Sequence, residues 1–75
     1  MSKREKLIKE LENNTKNIRF DVIKNLLLTS GYTIQSVKGS HHNFTNGKIL
    51  ITIPYHKPIK PYYVKMVLKA IKEQR

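Results

Sequence analysis

Three histidines are the residues of this chain best suited to proton transfer. His41 and His42 are adjacent and lie between a Gly-Ser step and Phe44, and the third is His56. Free imidazole has a pKa of about 6.5, so a histidine can accept or donate a proton at neutral pH. A ribose carries its own nucleophile, the 2′-hydroxyl. One histidine could deprotonate this hydroxyl or protonate the leaving 5′-oxygen of a phosphodiester, while a nearby lysine stabilises the charge on phosphate.

A metal site is the competing interpretation of the same histidines. Adjacent residues of a strand point to opposite faces of a sheet, so His41 and His42 are poorly placed to share an ion. The chain has no cysteine and no His-x-Glu motif, which removes the usual zinc ligand sets. Its acids all fall in predicted helices, so the carboxylate cluster of a two-metal nuclease is hard to build. The acids are Glu5, Glu10, Glu12, Asp21 and Glu73. We expect no metal and no cofactor, and any nuclease chemistry would be metal-free.

Basic residues dominate the composition. Fifteen Lys and Arg oppose five acids, which gives a formal net charge of +10. A small protein of this charge attracts a polyanion, most often nucleic acid, although an acidic protein partner or an unusually soluble surface fits the same composition. The basic residues extend from Lys3 to Arg75, which indicates a charged face on a folded body rather than a disordered arm.

Length and hydropathy limit the class of protein. Seventy-five residues allow one domain with a small core, which we assign to residues 1–75. The N-terminus has no apolar run of signal-peptide length, and no segment is long enough to cross a membrane. The absence of cysteine fits a reducing compartment. We therefore expect a cytoplasmic protein without a membrane partner.

The spacing of apolar residues predicts three helices. A helical extension covers residues 1–14, and a second helix carries Phe20 on its apolar face. This second helix ends before Gly31, which stands where the residue after a helix C-cap belongs. The last helix is amphipathic. Its apolar face consists of Val64, Val67, Leu68 and Ile71.

Three strands lie between the second helix and the last one. They are predicted at residues 32–38, 41–45 and 48–55, where β-branched and aromatic residues are enriched. Gly39-Ser40 forms the first turn, and Asn46-Gly47 is a strong signal for a two-residue hairpin turn. The order α, α, β, β, β, α predicts an α+β two-layer sandwich, in which a three-stranded antiparallel sheet has its helices on one face.

The hairpin predicts different environments for the two adjacent histidines. A two-residue Asn46-Gly47 turn places His42 opposite Ile51 and His41 opposite Thr52. His42 then shares the apolar face under the helices, as a packed or edge histidine with a backbone partner. His41 lies on the open face, where it is presented to solvent. A one-residue bulge would reverse this assignment.

Lysines near the histidines are candidates for binding phosphate, on which an ammonium group acts as a point charge. Lys57 and Lys60 lie in the segment His56–Pro61, a stiff basic loop whose prolines prevent regular strand pairing. A solvated connector is the alternative interpretation of this loop. The other candidate RNA contacts flank the predicted histidine strand and are Lys38, Gly39, Ser40 and Lys48.

Three segments together resemble the HicA family of toxins. They are Gly39-Ser40-His41-His42-Asn43-Phe44, Ile53-Pro54-Tyr55-His56, and Ile59-Lys60-Pro61 leading into Val67-Leu68-Lys69-Ala70-Ile71. The resemblance begins near Phe20 and reaches Lys72, so it covers most of the chain. The Gly-Ser-His step alone is weakly specific, whereas its combination with the other two segments is much more so.

The resemblance implies a fold like that of double-stranded-RNA-binding domains and the activity of an mRNA interferase. Such a toxin is a ribosome-independent endoribonuclease that cleaves mRNA and inhibits translation. The resemblance also implies neutralisation by a HicB-type antitoxin, through which operator DNA would be contacted only indirectly. The family's catalytic histidine follows the Gly-Ser step and maps to His41. His42 stays an alternative and His56 an auxiliary candidate. Shorter members lack the helical extension, whose role is antitoxin docking, self-association or covering the core.

Two other functions fit the sequence. A non-catalytic RNA-binding module of the same fold would bind RNA in a salt-dependent way without cleaving it. A protein-interaction subunit would use its positive charge to hold an acidic partner. Degradation of RNA in chelator by the purified protein would argue against the binding module. Capture of a partner would not separate the third function from the first, because a toxin also binds its antitoxin.

Overall fold

The computed structural model describes residues 3–73, and the predicted start of the N-terminal extension at residues 1 and 2 lies outside them. The elements are α1 (Lys3–Asn13), α2 (Phe20–Thr29), β1 (Thr33–Lys38), β2 (His41–Thr45), β3 (Leu50–Pro54) and α3 (Pro61–Glu73). The strands form an antiparallel sheet in the order β1-β2-β3. The predicted element order and the α+β class are confirmed, and the fold is like that of double-stranded-RNA-binding domains. Among residues 3–73, no helix has the length and apolar character that a membrane crossing needs.

The helices cover one face of the sheet. Phe44 of β2 and Ile51 and Ile53 of β3 are buried on that face, whereas Leu50 and Thr52 on the opposite face are exposed. This alternation is the period of two that a strand imposes when one of its faces packs on a core. The apolar face of α3 is buried as predicted and consists of Val64, Val67, Leu68 and Ile71.

Helix α1 contributes to the same core. Ile8 and Leu11 are buried in it. Near the start of α1, the Arg4 Nε donates a hydrogen bond to Ser30 Oγ, 2.9 Å away, just after α2. Near its end, Glu12 forms an ion pair with Lys72 of α3. Of the three roles considered for the extension, covering the core is the one that these contacts support.

The connection between β2 and β3 differs from the predicted two-residue turn. Thr45 pairs with Leu50 rather than with Lys48, so the loop is two residues longer and β3 begins later. The Asn46 Oδ1 accepts hydrogen bonds from the backbone N–H groups two and three residues further on, at 2.9 and 2.8 Å. Gly47 has a φ of +93°, but Asn46 does not take the positive φ that the two-residue turn requires at both positions. The Asn46 side chain thus stabilises the wider loop.

The change of register leaves the predicted sheet faces intact. A shift of two residues preserves the face of each side chain, because side chains alternate along a strand. His42 now pairs with Ile53 on the buried face, and Asn43 pairs with Thr52 on the other. The predicted separation of His41 and His42 onto opposite faces is confirmed.

A β-bulge interrupts β1 between Ile34 and Ser36. The two apolar residues of this strand, Ile34 and Val37, are three positions apart, and an unbroken strand would point them to opposite faces. With the bulge, both pair with β2 residues of the helix-covered face. Ser36 and Lys38 then lie on the uncovered face. We call this the open face, and the residues on it that matter below are Ser36, Lys38, His41, Asn43, Leu50 and Thr52.

Candidate active site

One end of the sheet holds most of the candidate residues. The Gly39-Ser40 turn joins β1 to β2 as predicted, and it pairs Lys38 directly with His41. Gly39 has a φ of +58°, a left-handed conformation that glycine adopts without a side-chain penalty. On its other side, His41 pairs with Pro54, the last residue of β3. His41 therefore lies at the end of the central strand, between two neighbouring strands.

The His41 ring is exposed on the open face and makes no hydrogen bond to another described residue. Lys38 is its direct cross-strand neighbour, and such partners have Cβ atoms about 5 Å apart. An ammonium group is therefore within reach of an anion held against the imidazole. An accessible ring nitrogen beside a cation is the arrangement that acid–base chemistry on a phosphodiester needs.

A row of hydrogen-bonded polar side chains crosses the open face next to His41. The Thr52 Oγ1 donates to the Asn43 Oδ1 at 2.6 Å, and the Asn43 Nδ2 donates to the Ser36 Oγ at 2.9 Å. Both ends of the Asn43 amide are engaged, so its orientation is held. The Ser36 oxygen is an acceptor in this row, which leaves its hydroxyl hydrogen to donate to a ligand. We call these three residues the polar row.

The polar row was not predicted from the sequence. Asn43 and Thr52 share the open face in both the predicted and the observed register, so their proximity could have been found from the hairpin. The place of Ser36 depends on how β1 pairs with β2, and only the Gly39-Ser40 turn carries a signal for that pairing. Counting back from this turn would have placed Ser36 opposite Asn43.

His42 has a different environment, on the helix-covered face. Its ring is half-buried, with its centroid 4.6 Å from that of Phe20. Its Nδ1 lies 3.3 Å from the carbonyl oxygen of Ser40. A carbonyl only accepts, so the contact requires a hydrogen on Nδ1, which fixes the tautomer and the ring orientation. The predicted packing and backbone partner of His42 are confirmed, and one of its two nitrogens is occupied.

The basic loop after β3 is anchored at both ends. The Tyr55 N–H donates to the Ser40 carbonyl at 2.6 Å, and the Ile59 N–H donates to the Ile18 carbonyl at 2.8 Å. The first of these bonds extends the pairing of β2 with β3, so the loop begins at the same end of the sheet as His41. Its exposed candidate residues are His56, Lys57 and Lys60.

Lys48 lies at the other end of the sheet. It belongs to the loop after β2, and the five residues of that strand place the loop about 13 Å from His41. The structure therefore brings Lys38, Gly39 and Ser40 to the candidate site but leaves Lys48 away from it.

The acidic residues all lie on helices, as predicted. Within residues 3–73, no three His, Cys, Asp or Glu side chains form a group that could hold a metal ion. The groups at this end of the sheet are thus the exposed imidazoles of His41 and His56, several ammonium groups and neutral hydrogen-bond donors.

Fold and site define a small basic α+β protein of the double-stranded-RNA-binding-domain type, with proton-transfer and cationic groups at one end of an open sheet face. The family described as "HicA toxin of bacterial toxin-antitoxin" matches residues 21–72, which is more than half of the chain. The chain belongs to the HicA toxin family. No curated protein and no solved structure matches it. Membership places the chain among the toxins of toxin–antitoxin systems, and implies an antitoxin partner and an RNA target.

The family match contains every candidate site residue and leaves out α1. The resemblance seen in the sequence is thus confirmed over the strands and α3. Helix α1 is an addition to the matched region, although its side chains share the same core.

Proposed function

We propose that this protein is a metal-independent endoribonuclease, an mRNA interferase that cleaves mRNA without the ribosome and inhibits translation. The observation that carries the proposal is the exposed His41 ring next to Lys38 on the open face of a HicA-family chain. A HicB-type antitoxin neutralises the toxin, and operator DNA is contacted only through that antitoxin.

The reaction needs two proton transfers at the scissile phosphate. The ribose 2′-oxygen loses its proton and forms a bond to phosphorus, the bond from phosphorus to the 5′-oxygen breaks, and the 5′-oxygen gains a proton. A cyclic phosphate and a free 5′-hydroxyl result. His41 performs one of these two transfers, as base or as acid. Lys38 stabilises the negative charge that grows on the phosphate oxygens in the transition state.

The polar row orients the substrate next to His41. Ser36 donates its hydroxyl hydrogen to a phosphate or ribose oxygen, and Asn43 holds that hydroxyl in place. Holding the reacting groups in one geometry is a large part of catalysis, because misplacement by about 1 Å can cost about 100-fold in rate. Gly39, Ser40, Lys57 and Lys60 provide further contacts to the RNA backbone at this end of the sheet.

His41 is a better candidate than the other two histidines. The His42 ring is packed against Phe20 and one of its nitrogens faces a carbonyl, so its access to substrate is restricted. His56 is exposed in the loop after Tyr55 and is the auxiliary candidate for the second proton transfer.

The test is cleavage of a defined single-stranded mRNA in EDTA, with wild-type protein beside His41→Ala. We expect wild type to cleave and His41→Ala to lose about 100-fold or more of the rate, which is the usual contribution of a general acid or base. Circular dichroism shows whether the variant is folded. His56→Ala tests the auxiliary candidate in the same assay, and a smaller loss is expected from it.

Two outcomes would contradict the proposal. Undiminished cleavage by folded His41→Ala would remove His41 from the mechanism. Binding of RNA without cleavage by either protein would indicate the non-catalytic RNA-binding module instead.

A further inference from the structure

A cavity of about 480 Å³ lies beside Phe20 and Tyr55, where the connection between α1 and α2 meets the loop after β3. The hydrogen bond between Ile59 and Ile18 holds these two segments together. The lining of this cavity combines aromatic and charged side chains. We call it the Tyr55 cavity, and the residues that matter below are Arg19, Phe20, Asp21, Tyr55 and Lys57.

The Tyr55 ring is supported from behind and accessible in front. Its centroid lies 5.0 Å from that of the buried Phe20 and 6.3 Å from that of His42. Nevertheless, Tyr55 is 42% exposed. A large aromatic ring that is held in place and still open to solvent is the kind of platform on which proteins stack single-stranded bases.

Two cations accompany this platform. The Lys57 Nζ lies 5.8 Å from the Tyr55 ring centroid, within the range of a cation–π contact, and Arg19 contributes to the same lining. Neither cation forms an ion pair with another described residue. Asp21 adds one carboxylate, which can accept hydrogen bonds from the exocyclic amino group of a base. The cavity thus offers a stacking surface, a base-edge acceptor and charge for phosphate.

The Tyr55 cavity adjoins the candidate active site through the backbone. The Tyr55 N–H donates to the carbonyl of Ser40, the residue before His41. His41 projects to the open face, whereas the Tyr55 ring packs on the helix-covered side. An RNA strand that crosses the end of the sheet would therefore meet both within neighbouring nucleotides.

We propose that the Tyr55 cavity is a subsite for one unpaired nucleobase of the RNA strand, which displaces the Lys57 ammonium from the face of Tyr55 and stacks there, while Lys57 and Arg19 contact its flanking phosphates. This inference rests on the proposed function, because it describes the strand that His41 cleaves. The subsite selects single-stranded RNA over duplex RNA, since a base must leave its partner before it can stack on a side chain.

The test compares two labelled RNA probes that differ only in their bases. One is a single-stranded oligouridine and the other is an abasic ribose-phosphate chain of the same length. Binding is measured by fluorescence anisotropy with the full-length His41→Ala protein, which keeps the probes intact, and with the same protein carrying Tyr55→Ala, Tyr55→Phe or Tyr62→Ala. Tyr62 is the matched control, because it is 69% exposed on α3 and does not line the cavity.

We expect Tyr55→Ala to weaken oligouridine binding about tenfold, as the loss of one stacked base does, and to change abasic binding by less than about twofold. Tyr55→Phe keeps the ring and binds like its parent, and Tyr62→Ala does the same. Equal weakening for both probes, or none for either, would overturn the subsite. If Tyr55→Ala does not fold, Tyr55→Leu replaces it, since leucine fills the space without an aromatic face.

The result of this binding test can be distinguished from the result of the cleavage test of the proposed function. Binding is measured without cleavage, so a base-dependent loss in Tyr55→Ala supports the subsite even if the wild-type protein does not cleave RNA in EDTA. Conversely, cleavage by wild type together with base-independent binding in Tyr55→Ala rejects the subsite and leaves the ribonuclease proposal standing.

Discussion

His41 and His42 are neighbours in the chain but belong to different regions of the molecule. The open face around His41 is polar and accessible, with Lys38 and the polar row beside it. The helix-covered side around His42 is aromatic, with Phe20 and Tyr55 as its neighbours. Strand alternation alone produces this division. The two proposals assign proton transfer to one side of this strand end and base stacking to the other, within a few residues.

Exchange of each histidine for a side chain of related shape tests this division most strongly. We expect His41→Asn to lower the single-turnover cleavage rate by about 100-fold to 10,000-fold, because amides do not transfer protons at neutral pH. His42→Phe should stay within about tenfold of wild type, since a phenyl ring can pack against Phe20 in the same place. A larger loss in folded His42→Phe than in His41→Asn would make His42 the functional histidine.

The stability of the two sheet faces should differ as much as their chemistry. Phe44 is fully buried, and Phe44→Ala should lower the free energy of unfolding by about 3–5 kcal/mol. Leu50 is 59% exposed on the open face, and Leu50→Ala should change the free energy of unfolding by less than about 0.5 kcal/mol. Urea unfolding followed by circular dichroism measures both. A large loss in Leu50→Ala would mean that the open face is covered in solution.

The polar row should influence the rate more than RNA affinity. Asn43→Ala removes the side chain that holds Ser36, and we expect kcat to fall about tenfold with little change in KM. Thr52→Val keeps the shape of the side chain but deletes its donor to Asn43, so it should give a smaller decrease in kcat. A rise in KM at constant kcat would instead assign the row to substrate binding.

Lysines at the two ends of the sheet should differ in their contribution to RNA binding. Lys38→Ala removes a phosphate contact next to His41, so the slope of log affinity against log salt for a short single-stranded RNA should decrease by about 0.7. Lys48→Ala should change that slope less, because Lys48 lies in the β2–β3 loop at the other end of the sheet from His41. Equal changes of the slope in both variants would indicate that the RNA-binding surface covers the whole open face.

The smallest change in stability is expected from substitution of Tyr32. Its hydroxyl is buried without a hydrogen-bond partner among the described residues, and this burial raises the pKa of Tyr32 above its ordinary value of 10.0. Tyr32→Phe should therefore leave the free energy of unfolding unchanged or raise it by up to about 1 kcal/mol at neutral pH. Above pH 10, the unfolded chain loses this proton before the folded one does, so stability falls as pH rises. Unfolding in urea across this pH range should show a shallower fall for Tyr32→Phe than for wild type.

The parts of the fold that could be predicted are those set by local periodicity. The alternation of side chains along β2 and β3 predicted which histidine faces solvent. This prediction was correct although the predicted pairing of β2 with β3 was wrong by two residues, because a shift of two residues preserves the face of each side chain. That error arose because Asn46 uses its side chain to bond the loop backbone, which composition does not reveal. The spacing of Ile34 and Val37 indicated the bulge in β1, because residues three positions apart point to opposite faces of an unbroken strand. The prediction of β1 used only its enrichment in β-branched and aromatic residues and not this spacing.

The Tyr55 cavity could not be predicted in this way. It depends on Arg19 and Lys57, which are far apart in the chain and meet because Ile18 and Ile59 form an isolated bridge. No periodicity connects these positions. The proposed role of His41 rests on its sheet face and on membership of the HicA family.

The bulge in β1 also affects how readily this edge of the sheet could pair with a strand of another molecule. Strand β1 lies at the edge of the sheet, and an uninterrupted edge offers a row of backbone donors and acceptors to a strand of another molecule. The strand has only six residues, and the bulge divides it into two shorter runs. The same irregularity that places the side chains of Ile34 and Val37 on one face therefore makes this edge a poorer template for strand addition than a regular strand of six residues would be.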